Sequence, residues 1–270
     1  MPELPEVETT RLGLLPRLQG RTLTRIVVRN PRLRWPVPDD LGAKLAGQTL
    51  RGLARRGKYL LFDFGATTQI VHLGMSGSLR FAGPGEPAAL HDHVDWLFDD
   101  GTTLRLRDPR RFGAVLWTDD ATHHPLLAHL GPEPLTAEFD AAYLHAQCQR
   151  RNAAIKQVIM DAQVVVGVGN IYASESLFHA GIRPATAARR LSRPACAQLA
   201  AAIKQVLTAA IAAGGSSLRD YVHSSGELGY FQLQTRVYDR AGLPCKACAT
   251  PIRRIVQGQR ASFYCPACQR

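Results

Sequence analysis

Near its C-terminus the chain reads Cys245-Lys246-Ala247-Cys248, then sixteen residues, then Cys265-Pro266-Ala267-Cys268. Each CxxC knuckle places two thiolates on one side of a tight turn, and two knuckles complete a tetrahedral site with sulfur about 2.3 Å from a zinc ion. The constraint is severe. A segment of about 35 residues cannot bury enough apolar surface to fold unaided, whereas a structural zinc supplies roughly 10 to 16 kcal/mol of apparent binding energy. One structural Zn2+ on Cys245, Cys248, Cys265 and Cys268 is therefore expected. Four thiolates leave no open coordination position, so the metal should take no part in chemistry. No stretch reads as a signal peptide or a membrane span, and the expected setting is a reducing cytoplasm where thiols bind metal. Cys148 and Cys196 stand apart in helical contexts and read as small buried hydrophobes.

At the other end stands Met1-Pro2-Glu3-Leu4-Pro5-Glu6. Removal of the initiator methionine would leave Pro2 with a secondary amine. An α-amino group titrates at about 7.7 to 8.0 and a lysine at about 10.4, so at neutral pH roughly 10% of the first is an unprotonated nucleophile against well under ~0.1% of the second. Attack by such an amine on an aldehyde-level carbon gives an iminium ion, an electron sink that favours elimination at the neighbouring carbon. Taken alone, the two prolines would equally serve to start a helix.

Charge narrows the partner. The chain carries 33 Lys and Arg against 22 Asp and Glu, a net charge of +11, which attracts polyanions with marked salt dependence. Nucleic acid fits better than a membrane surface, because no basic amphipathic helix stands out and the basic residues are mostly arginine, which matches phosphate bidentately. Since arginine does not give up its proton, lysines such as Lys58 and Lys156 are where proton transfer could sit.

With 270 residues and 46% hydrophobic content, two folded domains plus the ribbon is the natural division: residues 1–132, 133–231 and 236–270. A helix is expected from Pro5 to before Gly20, with Val7, Leu14, Leu15 and Leu18 on one face. Short β-prone runs follow at 22–29, 49–55, 59–64, 69–73, 78–81, 94–98, 102–107 and 114–117, with Asp100-Gly101 as a hairpin turn. Many short strands of this kind point to a β-sandwich or barrel. After Gly131-Pro132-Glu133-Pro134 the texture turns helical, with spans at 137–150, 153–160, 171–180 and 194–213, Ser192 as a cap and Gly181 and Gly214-Gly215 as stops. The bend Gly167-Val168-Gly169-Asn170 opens the third of these, where free amides would welcome a phosphate.

Five blocks then meet in order: Pro2-Glu3-Leu4-Pro5-Glu6-Val7-Glu8, His72-Leu73-Gly74-Met75-Ser76-Gly77, Asp108-Pro109-Arg110-Arg111-Phe112-Gly113, Val166-Gly167-Val168-Gly169-Asn170-Ile171-Tyr172-Ala173 and the four-cysteine ribbon. Together they closely resemble the bacterial formamidopyrimidine-DNA glycosylases. The resemblance implies an α+β multidomain fold: an N-terminal β-sandwich led by a catalytic helix, a helix-two-turns-helix domain and a C-terminal zinc-ribbon β-hairpin. It implies a monomer acting on damaged double-stranded DNA held in a cleft between domains, with no membrane involved, and removing oxidised purines such as 8-oxoguanine and ring-opened formamidopyrimidines.

By the same resemblance, the Pro2 amine attacks the anomeric carbon, Glu3 is the general acid at the sugar-ring oxygen, and successive β- and δ-eliminations cut the strand on both sides of the lesion. Glu6 is either a second carboxylate of this site or a partner of the helix dipole. Lys58 matches the lysine assigned to phosphate binding and proton donation in β-elimination. Arg260 matches an arginine linked to phosphate gripping and δ-elimination, the first role suiting a group whose pKa exceeds about 12. His72, Lys156 and Asn170 match further phosphate contacts. Met75, Arg110 and Phe112 match the trio that fills the hole left by an extruded base, a step that costs a few kcal/mol. His91 matches a DNA-contacting histidine, the pair with His93 lacking further ligands for a metal. Arg151 stands where a lysine is usual. Residues 216–230 are expected to form a mobile loop that reads the lesion, and Tyr238 is a candidate cleft-lining side chain.

Two other functions share part of this pattern. Glycosylases for oxidised pyrimidines, similar to endonuclease VIII, have the proline-glutamate start, the helical motif and the ribbon; Pro2-Glu3-Leu4-Pro5 with Met75, Arg110 and Phe112 favours the purine enzyme. A non-catalytic zinc-dependent DNA-binding protein would share ribbon and charge, and intact Pro2, Glu3 and Lys58 argue against it.

Overall fold

The computed structural model describes residues 2–215 and 235–270. They fall into two units, one of residues 2–128 with 213–215 and one of residues 129–212 with 235–270. The expected lesion-reading loop at 216–230 lies outside the described residues.

The first unit opens with helix α1 (Leu4–Leu18). Glu3 is its N-cap and Pro5 lies in its first turn, where a missing N–H costs nothing. Leu4, Val7, Leu14 and Leu18 recur at helical spacing and are fully buried. The expected strands follow: β1 (Leu23–Val28), then β2 (Gly52–Arg56), β3 (Tyr59–Asp63), β4 (Thr68–His72), β5 (Ser78–Ala82), β6 (Asp92–Phe98), β7 (Thr103–Arg107) and β8 (Ala114–Thr118). They build two antiparallel four-stranded sheets, ordered β1-β6-β7-β5 and β2-β3-β4-β8. Residues of both sheets, including Leu60, Phe62, Val71, Trp96, Leu104 and Leu106, share one core with α1, which makes the unit a sandwich. The short helix α2 (Leu41–Leu45), absent from the sequence reading because a single turn has no periodicity to detect, seats Leu41 and Leu45 in that core. A buried ion pair crosses the β6–β7 ladder, where Asp95 and Arg105 face each other and the Arg105 Nε and Nη2 atoms each donate to the Asp95 carboxylate at 2.8 Å.

The second unit holds α3 (Ala141–Gln149), α4 (Ile155–Ile159), α5 (Asn170–His179) and α6 (Arg193–Ala212). Between α4 and α5 the chain turns at Asp161, whose carbonyl accepts the amides of Val164 and Val165, and then bends through residues 165–167. Helix α3 starts four residues later than the periodicity suggests because the Asp140 carboxylate accepts the Tyr143 amide at 2.7 Å and so fixes the cap. Helix α6 corrects the expectation that no stretch could span a membrane: by length and a mean hydropathy of 1.5 it passes that test. Its apolar face, with Leu199, Ile203, Val206 and Leu207 buried, instead packs on α3 and α5. Cys148 on α3 and Cys196 on α6 are fully buried. The unit ends in a hairpin of β9 (Arg253–Gln257) and β10 (Arg260–Tyr264), which packs on α5.

Candidate active site

Pro2, Glu3 and Glu6 are all buried at the start of α1. The Glu6 carboxylate, at the third helical position, accepts the Glu3 amide at 2.8 Å, and the pair forms a capping box. Glu6 therefore fixes the backbone that carries both Pro2 and Glu3. Gly215 abuts this carboxylate: with φ +79°, a Cβ there would stand 3.1 Å from Glu6 Oε1 and 3.2 Å from its Cγ. Farther along α1, Glu8 bonds Arg11 at 2.7 Å and Arg55 at 2.9 Å, while Arg55 also donates to the Gly57 carbonyl at 3.0 Å. Burial pushes the Glu8 carboxyl up, yet the two guanidinium groups outweigh it and hold the group below its ordinary range. This relay, which the sequence did not disclose, ties α1 to the hairpin turn Gly57-Lys58.

Strand register sets what surrounds Lys58. Tyr59, the first residue of β3, pairs with His72, the last of β4, and His72 pairs with Ala114 at the start of β8. One end of this sheet thus carries Lys58, His72, the turn holding Met75 and the turn holding Arg110 and Phe112. Burial, followed by the positive charges of Lys58 and Arg34, pushes the His72 ring down to about 4, so it is neutral at pH 7. Its Nδ1 accepts the Gly74 amide at 3.0 Å, which leaves the proton on Nε2 as a donor. Met75 and Phe112 are 36% and 42% exposed, unlike core residues of their size, and the Arg110 guanidinium lies 5.0 Å from the centre of the Phe112 ring. His91 is half-buried, its ring 6.4 Å from that of His93. Arg32, Arg34, Arg110 and Arg111 line one open cavity with Leu33 and Phe112, a concentration of positive charge suited to phosphate.

In the second unit, Asn170 is the first residue of α5, after the Gly169 cap. Lys156 is 1% exposed, and its ammonium donates to Asn170 Oδ1 at 2.7 Å, the Ala261 carbonyl at 2.9 Å and Ser262 Oγ at 2.8 Å. In this geometry the ammonium bonds protein oxygens, bracing Asn170 and the strand next to Arg260. Arg260 is exposed and follows the two-residue turn Gly258-Gln259. Arg151 is half-buried and bonds the Gln147 carbonyl and side chain at 2.9 and 2.6 Å. Tyr238 packs edge-on against Phe263, ring centres 5.2 Å apart, at the root of the ribbon.

Sequence reasoning missed Glu175. It is 1% exposed on α5, and its carboxylate accepts the amides of Arg236, Val237 and Tyr238 at 2.8, 3.0 and 2.8 Å. Its signal was a lone charge inside the otherwise uncharged run Ile171-Tyr172-Ala173-Ser174-Glu175-Ser176-Leu177.

The four ribbon cysteines put their sulfurs within 4.8 Å of one another. Individual separations of 3.9 Å for Cys245 to Cys268 and 3.4 Å from Cys248 to both Cys265 and Cys268 bracket the edge of about 3.8 Å that a tetrahedron of 2.3 Å zinc–sulfur bonds requires. Hydrogen bonds from Thr250 draw the Cys248 thiol down to about 6, while the Cys248 thiol beside it pushes Cys268 up to about 12. The protein alone stabilises one thiolate at the expense of its neighbours, and a dication is what lets all four ionise together. The residues fit one structural zinc.

Comparison with known proteins agrees with this geometry. Residues 1–115 match the formamidopyrimidine-DNA glycosylase N-terminal domain, residues 130–222 the H2TH domain of the same proteins, and residues 242–270 the zinc finger found in FPG and IleRS. A formamidopyrimidine-DNA glycosylase of Thiobacillus denitrificans is 81% identical over 270 residues, the full length of both chains. The crystal structure of the MutM (FPG) protein from Thermus thermophilus superimposes with a TM-score of 0.90 at 37% identity, covering 99% of this chain and 98% of that one. A Lactococcus lactis FPG mutant in complex with a Fapy-dG containing DNA gives 0.93 at 33% identity, covering all of both chains. With all three domains matched and full-length relatives at high identity, the chain belongs to the formamidopyrimidine-DNA glycosylase family.

Proposed function

We propose that the chain is a bifunctional base-excision-repair enzyme, a DNA glycosylase that removes oxidised purines and an abasic-site lyase that then cuts the strand. The observation that carries this reading is the buried Pro2-Glu3 pair locked by Glu6 at the start of α1. With Met1 removed, the Pro2 nitrogen bonds to C1′ of the damaged nucleotide while Glu3 protonates the sugar-ring oxygen. The ring opens, the base departs with the C1′–N bond electrons, and an iminium remains. Loss of a proton from C2′ expels the 3′ phosphate, and a second elimination expels the 5′ phosphate. Lys58, beside the neutral Nε2–H donor of His72, binds the flanking phosphate and supplies a proton for the first elimination. Asn170 and Arg260 hold phosphates, Lys156 acts through Asn170, and Arg151 and His91 extend the contact. Met75, Arg110 and Phe112 fill the vacated stack, an apolar wedge with a guanidinium for the orphaned base. The zinc maintains the ribbon that presents Arg260. The working division is residues 1–132, 133–231 and 236–270, acting as a monomer on duplex DNA in the cytoplasm.

Borohydride reduction of the enzyme with an 8-oxoguanine duplex tests the reading. A covalent adduct on Pro2 is expected; Pro2→Gly should weaken it, Glu3→Gln should abolish base release, and a retained Met1 should abolish trapping because the nitrogen is then an amide. An adduct mapped to an interior lysine would refute the proline chemistry, and faster excision of thymine glycol than of 8-oxoguanine would refute the purine assignment.

A further inference from the structure

Met75 lies on one turn, Arg110 and Phe112 on another, and a single carboxylate holds both turns. Asp108 is fully buried. Its Oδ1 accepts the Ser76 hydroxyl at 2.9 Å, and its Oδ2 accepts the Gly113 amide at 2.8 Å. Ser76 Oγ in turn accepts the amide of Arg110 at 3.1 Å. Every one of these bonds ends on a trio member or its immediate neighbour: Ser76 follows Met75, Gly113 follows Phe112, and Arg110 is held by its own backbone.

The backbone of Asp108 is fixed as firmly. Its amide donates to the His91 carbonyl at 3.0 Å, and its carbonyl accepts His93 Nε2–H at 2.9 Å and the Arg111 amide at 3.2 Å. Arg111 sits at φ +56°, a conformation that costs a side-chain-bearing residue of order 1 to 3 kcal/mol and persists only where neighbouring bonds over-determine it. The two turns also interlock sterically: a Cβ on Gly74, at φ +63°, would lie 2.3 Å from the Phe112 carbonyl carbon.

One buried side chain thus takes bonds from two turns at once, with its own backbone held at both ends, so this clip is stiff. Stiffness matters for a wedge, because side chains that yield under the stacked bases recover none of the unstacking cost. We propose that Asp108, acting through Ser76 and Gly113, is a positioning residue that makes Met75, Arg110 and Phe112 enter the duplex as one rigid body. The proposal rests on the reading of those three as the void-filling set. Asp108 itself is fully buried and acts only through its neighbours. It is needed where a base must be extruded and replaced, and dispensable where the reacting sugar is already free.

The test compares two substrates of the zinc-loaded full chain: single-turnover excision of 8-oxoguanine from a duplex, and cleavage at an abasic site in a single-stranded oligonucleotide. Ser76→Ala and Asp108→Leu should slow the first about tenfold or more while changing the second by less than about twofold. Asp108→Asn can accept the Gly113 amide with its oxygen and donate its NH2 to Ser76 Oγ, and should recover to within about threefold of wild type on the duplex. Equal losses on both substrates would indicate general misfolding and overturn the proposal, as would unchanged duplex excision in Ser76→Ala and Asp108→Leu. Met75→Ala, Arg110→Ala and Phe112→Ala separate the two levels of failure. If these leave duplex excision intact, the void-filling reading falls and takes the proposal with it; if they slow it while the Asp108 and Ser76 variants do not, the proposal alone falls.

Discussion

Replacing Lys156 by methionine, which keeps the length of the side chain and removes its charge, asks whether the buried ammonium props the phosphate-binding groups or touches phosphate itself. Three bonds are lost, to Asn170, Ala261 and Ser262, and a hydrogen bond to a charged group has a net value of about 1.5 to 3 kcal/mol. Against that gross loss stands the desolvation penalty of the ammonium, several kcal/mol, which the variant no longer bears. The expected net destabilisation is about 3 to 5 kcal/mol, in the range for removing one partner of a buried charged cluster. Urea denaturation followed by a probe in the ribbon measures it. Salt dependence of duplex binding supplies the second readout: each phosphate contact contributes about 0.9 to the slope of log K against log salt. Arg260→Ala should lower that slope by about 0.9, whereas Lys156→Met, assayed where the ribbon remains folded, should weaken binding and leave the slope unchanged. A stability loss below about 1 kcal/mol would show that the ammonium does not prop these groups, and a slope change equal to that of Arg260→Ala would show that it reaches DNA.

The His72 ring, pushed down to about 4 from an ordinary 6.5, binds fewer protons folded than unfolded between those values. Stability is therefore fully present above about 6.5 and lost as pH falls toward 4, by up to about 3 kcal/mol; denaturation midpoints measured across that window should flatten in His72→Asn, and an unaltered pH dependence would count against the buried neutral ring. Metal analysis should find one zinc per chain, and a strong chelator should abolish duplex binding while cleavage of a single-stranded abasic oligonucleotide declines far less, since Pro2 and Glu3 lie in the other unit. Loss of both activities in parallel would assign the zinc a role beyond the ribbon.

The strands were legible because each is a short β-prone run bounded by turn residues, as Asp100-Gly101 separates β6 from β7. The zinc site was legible because knuckle spacing is itself the geometry. Helix α3 starts late because Asp140 outcompetes propensity over a few residues, and α6 combines span-length hydropathy with the helical apolar spacing of a packed core helix. Roles that depend on what a side chain meets far along the sequence could not be read. Lys156 looks like any solvated helix lysine until Ala261 and Ser262, more than a hundred positions away, close over it. Asp108 and Glu175 are similar: one accepts the Ser76 hydroxyl and the other the amides of Arg236, Val237 and Tyr238, partners that no local pattern records.

The Glu175 carboxylate sits about one and a half turns beyond Asn170 on the same helix, gripping the chain just ahead of the ribbon. A short helix does not bend over that distance, so the asparagine and the finger behave as the two jaws of a single clamp with no hinge between them. Whatever loosens the finger, whether an oxidised thiolate or a lost ion, is felt at the asparagine without any signal having to travel through DNA.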